Sequence, residues 1–144
     1  MRVGPTLKAL REKFPDQLRV VVKQHPLPFH KQAKLAARAA LAAHEQGKFW
    51  EYQDRLLVAG ARLDRDGLIA NAGEVGLDVA RFTAAIDSDR FDAQIDAESN
   101  EAVSVGASGT PATFVNGRYI RGAQPLSNFE RVVREAIAEA AQGG

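Results

Sequence analysis

The stretch Ala112-Thr-Phe-Val-Asn-Gly-Arg-Tyr-Ile-Arg-Gly122 places Asn116-Gly117 between two short runs that alternate with a period of two. Asn and Gly both tolerate positive φ, which the tight turn of a two-residue hairpin requires, so the pattern predicts strands over 112–115 and 118–122. Nearly everything before this hairpin has the 3.6-residue period of helices. Any fold for this chain must therefore dock a late hairpin among helices.

The helical pattern begins at 5–14, with Pro5 near the first turn and Leu7, Leu10 and Phe14 on one stripe. Leu18-Arg-Val-Val-Val-Lys23 is β-branched and short, and His25-Pro-Leu-Pro28 stops it, so 18–23 is predicted as one buried strand. Residues 31–46 are rich in alanine and leucine, with Gly47 as a left-handed cap. A helix over about 49–58 follows. Two more helices carry start motifs, Asp64 between Leu63 and Leu68 and Asp78 between Leu77 and Phe82, each a cap with a hydrophobic staple. Residues 89–105 are predicted to bury Phe91, Ile95, Ala102 and Val105 and to turn most of their carboxylates outward. After the hairpin, Ser127-Asn-Phe-Glu130 reads as a capping box for a last helix striped by Phe129, Val132, Val133, Ala136, Ile137 and Ala140, with fraying over 142–144.

A length of 144 residues with 45% hydrophobic content suits one domain over 1–144. Nineteen basic residues against 18 acidic ones give no field to draw nucleic acid or anionic lipid. The Ala-rich run at 33–43 is too short and too polar to cross a bilayer, so no membrane partner is expected. No secretory leader follows Met1, which places the chain as written in the cytosol, with the periplasm reserved for a longer precursor.

The sharpest compositional fact is the absence of cysteine. Disulfide exchange needs a thiolate nucleophile and a sulfur leaving group, and no other side chain replaces them. His25, His30 and His44 remain as borderline metal ligands, but His25 and His30 straddle a proline-rich loop without a carboxylate or thiolate partner, so neither metal nor cofactor is expected. Asp64-Arg-Asp-Gly67 hints at a calcium loop, yet Arg62 stands at its first ligand position. The carboxylates between Asp87 and Glu101 spread around a helix with no nucleophile beside them and read as a solvated face. Trp50 and Tyr52 fit core packing better than a ligand platform.

Several pieces in order carry a family resemblance: the strand with His25-Pro-Leu-Pro-Phe-His30, then 39–50, then Gly109-Thr-Pro-Ala-Thr-Phe-Val-Asn-Gly117, then Gly122-Ala-Gln-Pro125. Together they resemble the DsbA-like branch of the thioredoxin superfamily, from Thr6 to about Ile137. The resemblance implies an α/β thioredoxin-like fold with a helical insertion at approximately 31–105 and a cis bond at Thr110-Pro111. It also implies that the backbone there binds extended substrate, making Thr110 and Pro111 the substrate-binding residues.

The family carries a first strand and a Cys-x-x-Cys motif immediately ahead of residues resembling 2–7, whereas this sequence starts after them. The resemblance thus implies a fold lacking its central strand, between 18–23 and 112–115, a slot of about 10 Å. Either the two flanking strands close on each other or a second copy fills the gap, so an intertwined homodimer is expected. The domain is expected to be redox-inactive by itself and to keep a peptide-binding groove at Thr110-Pro111. Alternatives are a fragment of an active disulfide oxidoreductase with its Cys-x-x-Cys upstream, or a relative of kappa-class glutathione transferases and hydroxychromene carboxylate isomerases.

Overall fold

The computed structural model describes residues 3–143. Seven helices and one hairpin occur among them: α1 (Val3–Lys13), α2 (Ala33–Glu45), α3 (Phe49–Leu56), α4 (Arg65–Glu74), α5 (Val79–Asp87), α6 (Asp92–Ser104), β1 (Ala112–Val115), β2 (Arg118–Arg121) and α7 (Leu126–Gly143). The chain divides into two compact units, one made of residues up to Val22 together with those from Ala107 onward, the other running Lys23–Gly106.

The second unit is helical, and α2 is its centre. Ala39 and Ala43 are fully buried and Ala37, Ala40, Leu41 and Ala42 nearly so. A helix buried on most of its circumference needs small side chains so that neighbours can approach, and alanine supplies them while keeping the best helix propensity. Around it pack Tyr52, Leu68, Ala72, Phe82, Ile86, Phe91 and Ile95. Tyr52 lies beside Phe82, ring centroids 5.3 Å apart, and its hydroxyl donates to the Leu68 carbonyl at 3.0 Å. That bond satisfies the one polar atom the ring takes inside, and burial pushes the phenol well above its ordinary pKa. The helix closes where Gly47 adopts φ +73° and the Lys48 N–H reaches back to the Ala43 carbonyl at 3.0 Å.

Arg38 on α2 holds Asp92 at the start of α6 with two bonds, Nε to Oδ1 and Nη2 to Oδ2, both 2.7 Å, and Lys34 Nζ stands 3.2 Å from the same carboxylate. The Arg38 hydrogen bonds, aided by Lys34, hold the Asp92 pKa down to about 2 from 3.8. A carboxyl whose pKa falls on folding contributes stability above its unfolded value, and that contribution is lost as pH drops from about 3.8 toward 2. We predict that Arg38→Met raises the Asp92 pKa by at least one unit in a carboxyl ¹³C titration; an unmoved Asp92 would show that Lys34 suffices.

The first unit packs α1, the hairpin and α7 around Leu10, Phe14, Ile120, Phe129, Val132 and Val133. α7 presents Phe129, Val132, Val133 and Ala136 to this core as expected, while Ala140 is exposed. The Arg134 guanidinium lies 5.2 Å from the centroid of Phe14, which caps the cluster with a cation over a ring.

Four sequence expectations fail here. Residues 18–23 form no strand; the only sheet among the described residues is the β1–β2 hairpin, so the direct closure of 18–23 onto 112–115 does not occur. A β-branched run favours extended backbone, but a strand exists only where a neighbour supplies the ladder. Asp64 makes no capping bond; its carboxylate is held by Arg62 at 3.1 and 2.6 Å, while Asp78 does cap, accepting from the Arg81 N–H at 3.0 Å. Ser127 is already inside α7, which starts at Leu126, and Glu130 pairs with Lys13 at 2.7 Å instead of reaching back. Val105 is 54% exposed because α6 ends at Ser104. α7 extends through Gly143, and Gly144, like Arg2, lies outside the described residues.

Candidate functional site

The hairpin sets the geometry around Thr110 and Pro111. Asn116 (φ 46°) and Gly117 (φ 86°) both occupy the left-handed region, as a two-residue turn of this hand demands. The register pairs Val115 with Arg118, Phe114 with Tyr119, Thr113 with Ile120 and Ala112 with Arg121. In an antiparallel ladder, hydrogen-bonded and non-bonded pairs alternate. A two-residue turn makes the flanking pair Val115–Arg118 a bonded one, and the Gly122 N–H donating to the Pro111 carbonyl at 3.0 Å continues that alternation beyond the strands. Pro111, Thr113 and Val115 therefore direct their backbone groups to β2, and Ala112 and Phe114 direct theirs away from it. That outer edge of β1 has no strand beside it.

The two faces of the hairpin differ sharply. Ile120 is buried and Val115 packs on the same cluster, whereas Phe114 and Tyr119 are 41% and 39% exposed. Their rings stack with centroids 4.8 Å apart and planes 14° off parallel, the close approach of a non-bonded pair. Thr110 is exposed, Pro111 is half-buried, and the peptide bond between them is cis. Arg118 is committed to Glu135 at 2.9 Å and to Glu139 on α7, while Arg121 and Arg19 are exposed with no ion-pair partner among the described residues.

The second unit holds a separate cluster. Residues 23–25 strap along α6: Lys23 Nζ meets Glu101 at 2.9 Å, the Gln24 N–H donates to Glu98 at 2.5 Å, and His25 Nδ1 lies 2.7 Å from Ser99 Oγ. Beyond the strap, Pro26, Leu27, His30, Lys34, Asp96 and Ser99 line an open hollow of about 370 Å³. A serine beside a histidine can be a nucleophile with its base, but acyl transfer also needs N–H donors free to hold an oxyanion. Ser99 sits mid-helix, where neighbouring N–H groups are spent on the helical ladder. The His25–Ser99 bond is accordingly a tether for the strap, and Lys34 is neutralised by Asp92 and Asp96.

The sequence singled out Thr110 and Pro111 and missed the outward pair Ala112 and Phe114. The Asn116-Gly117 turn could have found them, because turn length fixes which residues bond across the hairpin. His30 packs beside Phe29, centroids 4.5 Å apart, and is not brought to His25 by any printed bond. Most carboxylates of α6 are absorbed by cations or by the strap. No helix among the described residues is long and apolar enough to cross a membrane.

Comparison with known proteins places this geometry. The chain is 39% identical over 135 residues to the Na(+)/H(+) antiporter NhaA of Herminiimonas arsenicoxydans, a match covering 94% of this chain and 21% of that protein. It is 36% identical to Na(+)/H(+) antiporter NhaA 3 of Salinispora tropica, covering 95% of this chain and 22% of the relative. The chain thus spans about a fifth of the length of these curated relatives. Among solved structures, a thioredoxin-like oxidoreductase from Silicibacter pomeroyi DSS-3 superposes with a TM-score of 0.83 at 27% identity, covering 94% of this chain and 77% of that one. ScsC of Proteus mirabilis in a compact conformation superposes with a TM-score of 0.77 at 21% identity over 94% and 74% of the two chains, a likeness of fold. The helices, hairpin and terminal helix are those of a thioredoxin-like α/β fold. Residues 6–134 match the DSBA-like thioredoxin domain, and the chain belongs to that family.

Proposed function

We propose that this DSBA-like domain does not exchange disulfides by itself and acts as a peptide-binding module through Thr110, Pro111 and the outer edge of β1. The observation that carries the reading is that edge: Ala112 and Phe114 offer backbone donors and acceptors to an extended chain, and no strand occupies them. A peptide adding there gains main-chain bonds, with side-chain selectivity left to alternate positions. The absence of cysteine removes both the attacking thiolate and the leaving sulfur. In the insulin–dithiothreitol assay, the purified 144-residue chain is expected to leave the rate at its uncatalysed value; a dose-dependent acceleration would overturn the redox half of the reading.

The binding half is tested with fluorescein-labelled, reduced and carboxymethylated α-lactalbumin, a permanently unfolded protein, by anisotropy. We expect saturable binding that Ala112→Pro weakens at least fivefold, because proline deletes an outward N–H while sparing the bonds to β2. No binding, or binding indifferent to this substitution, would discard the edge.

A second reading rests on span, since the chain aligns with 77% of the oxidoreductase and about a fifth of the antiporters. In it the domain is one part of a longer polypeptide, with a dithiol segment or a transporter supplied by the remainder. The DNA ahead of the Met1 codon decides. An in-frame strand followed by Cys-x-x-Cys, or a membrane-spanning region, supports this reading; an in-frame stop codon overturns it.

A further inference from the structure

In the first unit, one stretch obeys the side-chain rule of a strand while its backbone has no partner. Leu18, Val20 and Val22 are half-buried, and Arg19 and Val21 between them are exposed, Val21 by 62%. The Leu18 N–H donates to the Phe14 carbonyl at 3.1 Å, but from Arg19 to Val22 no backbone group has a hydrogen bond to the described residues. Alternation without a ladder is the mark of a strand whose neighbour is missing. Leu18 and Val115 pack against the same buried cluster, so this segment and β1 are anchored on one core.

We propose that Leu18–Val22 and the open edge of β1 are the two walls of a slot that takes one extended strand from another polypeptide. That strand is apolar at alternate positions and carries carboxylates at its ends. The proposal rests on the peptide-edge reading above and adds to it a second wall and a charge preference. A strand received between two walls bonds on both sides, roughly doubling the main-chain bonds available at a single edge.

Charge selects the occupant. Arg19 and Arg121 expose guanidinium groups without ion-pair partners, one on each wall, whereas Arg118 nearby is already paired to α7. A second copy of this chain would bring its own Arg121 toward the same edge and set like charges together; a strand ending in carboxylates neutralises both. The exposed stack of Phe114 and Tyr119, with Val21, provides the apolar surface for side chains on that face.

The test is amide hydrogen exchange by NMR on the full ¹⁵N-labelled chain, with acetyl-Glu-Val-Thr-Val-Thr-Val-Glu-amide as the probe. Saturable binding is expected to slow exchange at least tenfold at Ala112, Phe114 and alternate amides between Arg19 and Val22. The same peptide with lysine at both ends should bind at least tenfold more weakly, and Arg121→Gln should narrow that difference. Protection confined to Ala112 and Phe114 would overturn the slot while leaving single-edge binding intact, and no binding at all would overturn both. Equal affinity for the lysine peptide would overturn the acidic assignment. Protection that grows with protein concentration in the absence of peptide would assign the slot to a second copy and overturn the proposal.

Discussion

Phe82→Ala lowers the stability of the helical unit by about 3–5 kcal/mol, the cost of truncating a fully buried aromatic residue in a close-packed core. Phe82 has no exposed surface, stands against the ring of Tyr52, and belongs to the cluster that joins α2 to α5. The neighbours cannot collapse into the space, because α2 already meets them through alanines that have no longer side chain to swing inward. Trp50, the only tryptophan, lies in α3 of the same unit, so its emission during urea unfolding reports on this unit. Val103→Ala, at a side chain 66% exposed on α6, is the control and should stay within about 0.5 kcal/mol of the parent. A loss below about 1 kcal/mol for Phe82→Ala would mean the cluster is not the core of this unit.

Gly67→Ala reverses the usual sign of its substitution class. In an ordinary helix the change stabilises by about 0.5–1 kcal/mol, since alanine gives up less backbone entropy. At Gly67 in the first turn of α4, a Cβ would lie 2.3 Å from the Cβ of Arg62 and 2.7 Å from its carbonyl oxygen. Neither atom can rotate away, because one is backbone and the other is fixed to it. Asn71 adds a constraint, its side-chain amide donating to the Arg62 carbonyl at 3.2 Å. Overpacking of this kind costs about 1–3 kcal/mol. The turn before α4 must shift or break the Asn71 bond, so we expect a lower urea midpoint with an unchanged slope. Gly73→Ala in the same helix, where the nearest atom is a Val79 methyl at 3.7 Å, should instead be neutral or stabilising. Equal effects at the two positions would refute the close contact at Gly67.

The hairpin and α7 were legible in the sequence because their determinants are local. Asn116 and Gly117 fix the turn by their own φ preferences, and the stripe from Phe129 to Ala136 follows from helical period alone. The Asp78 cap was legible for the same reason, its carboxylate lying three residues from the N–H it accepts. Asp64 has the same local pattern and fails, since Arg62 offers a charge-assisted bidentate pair in competition with the cap. Glu130 is drawn away from its capping box by Lys13, a residue 117 positions distant. No window of sequence contains that contact.

Composition by itself determined that this chain has no thiol for disulfide chemistry, and motif order determined the family, because both are properties of residue identity. Whether a β-branched run becomes a strand was decided only by tertiary structure. Leu18–Val22 alternates in burial as a strand does, yet hydrogen-bonds to none. A side chain carries its own preference for extended backbone, but the ladder belongs to two segments at once, and its free energy exists only when the second one is in place.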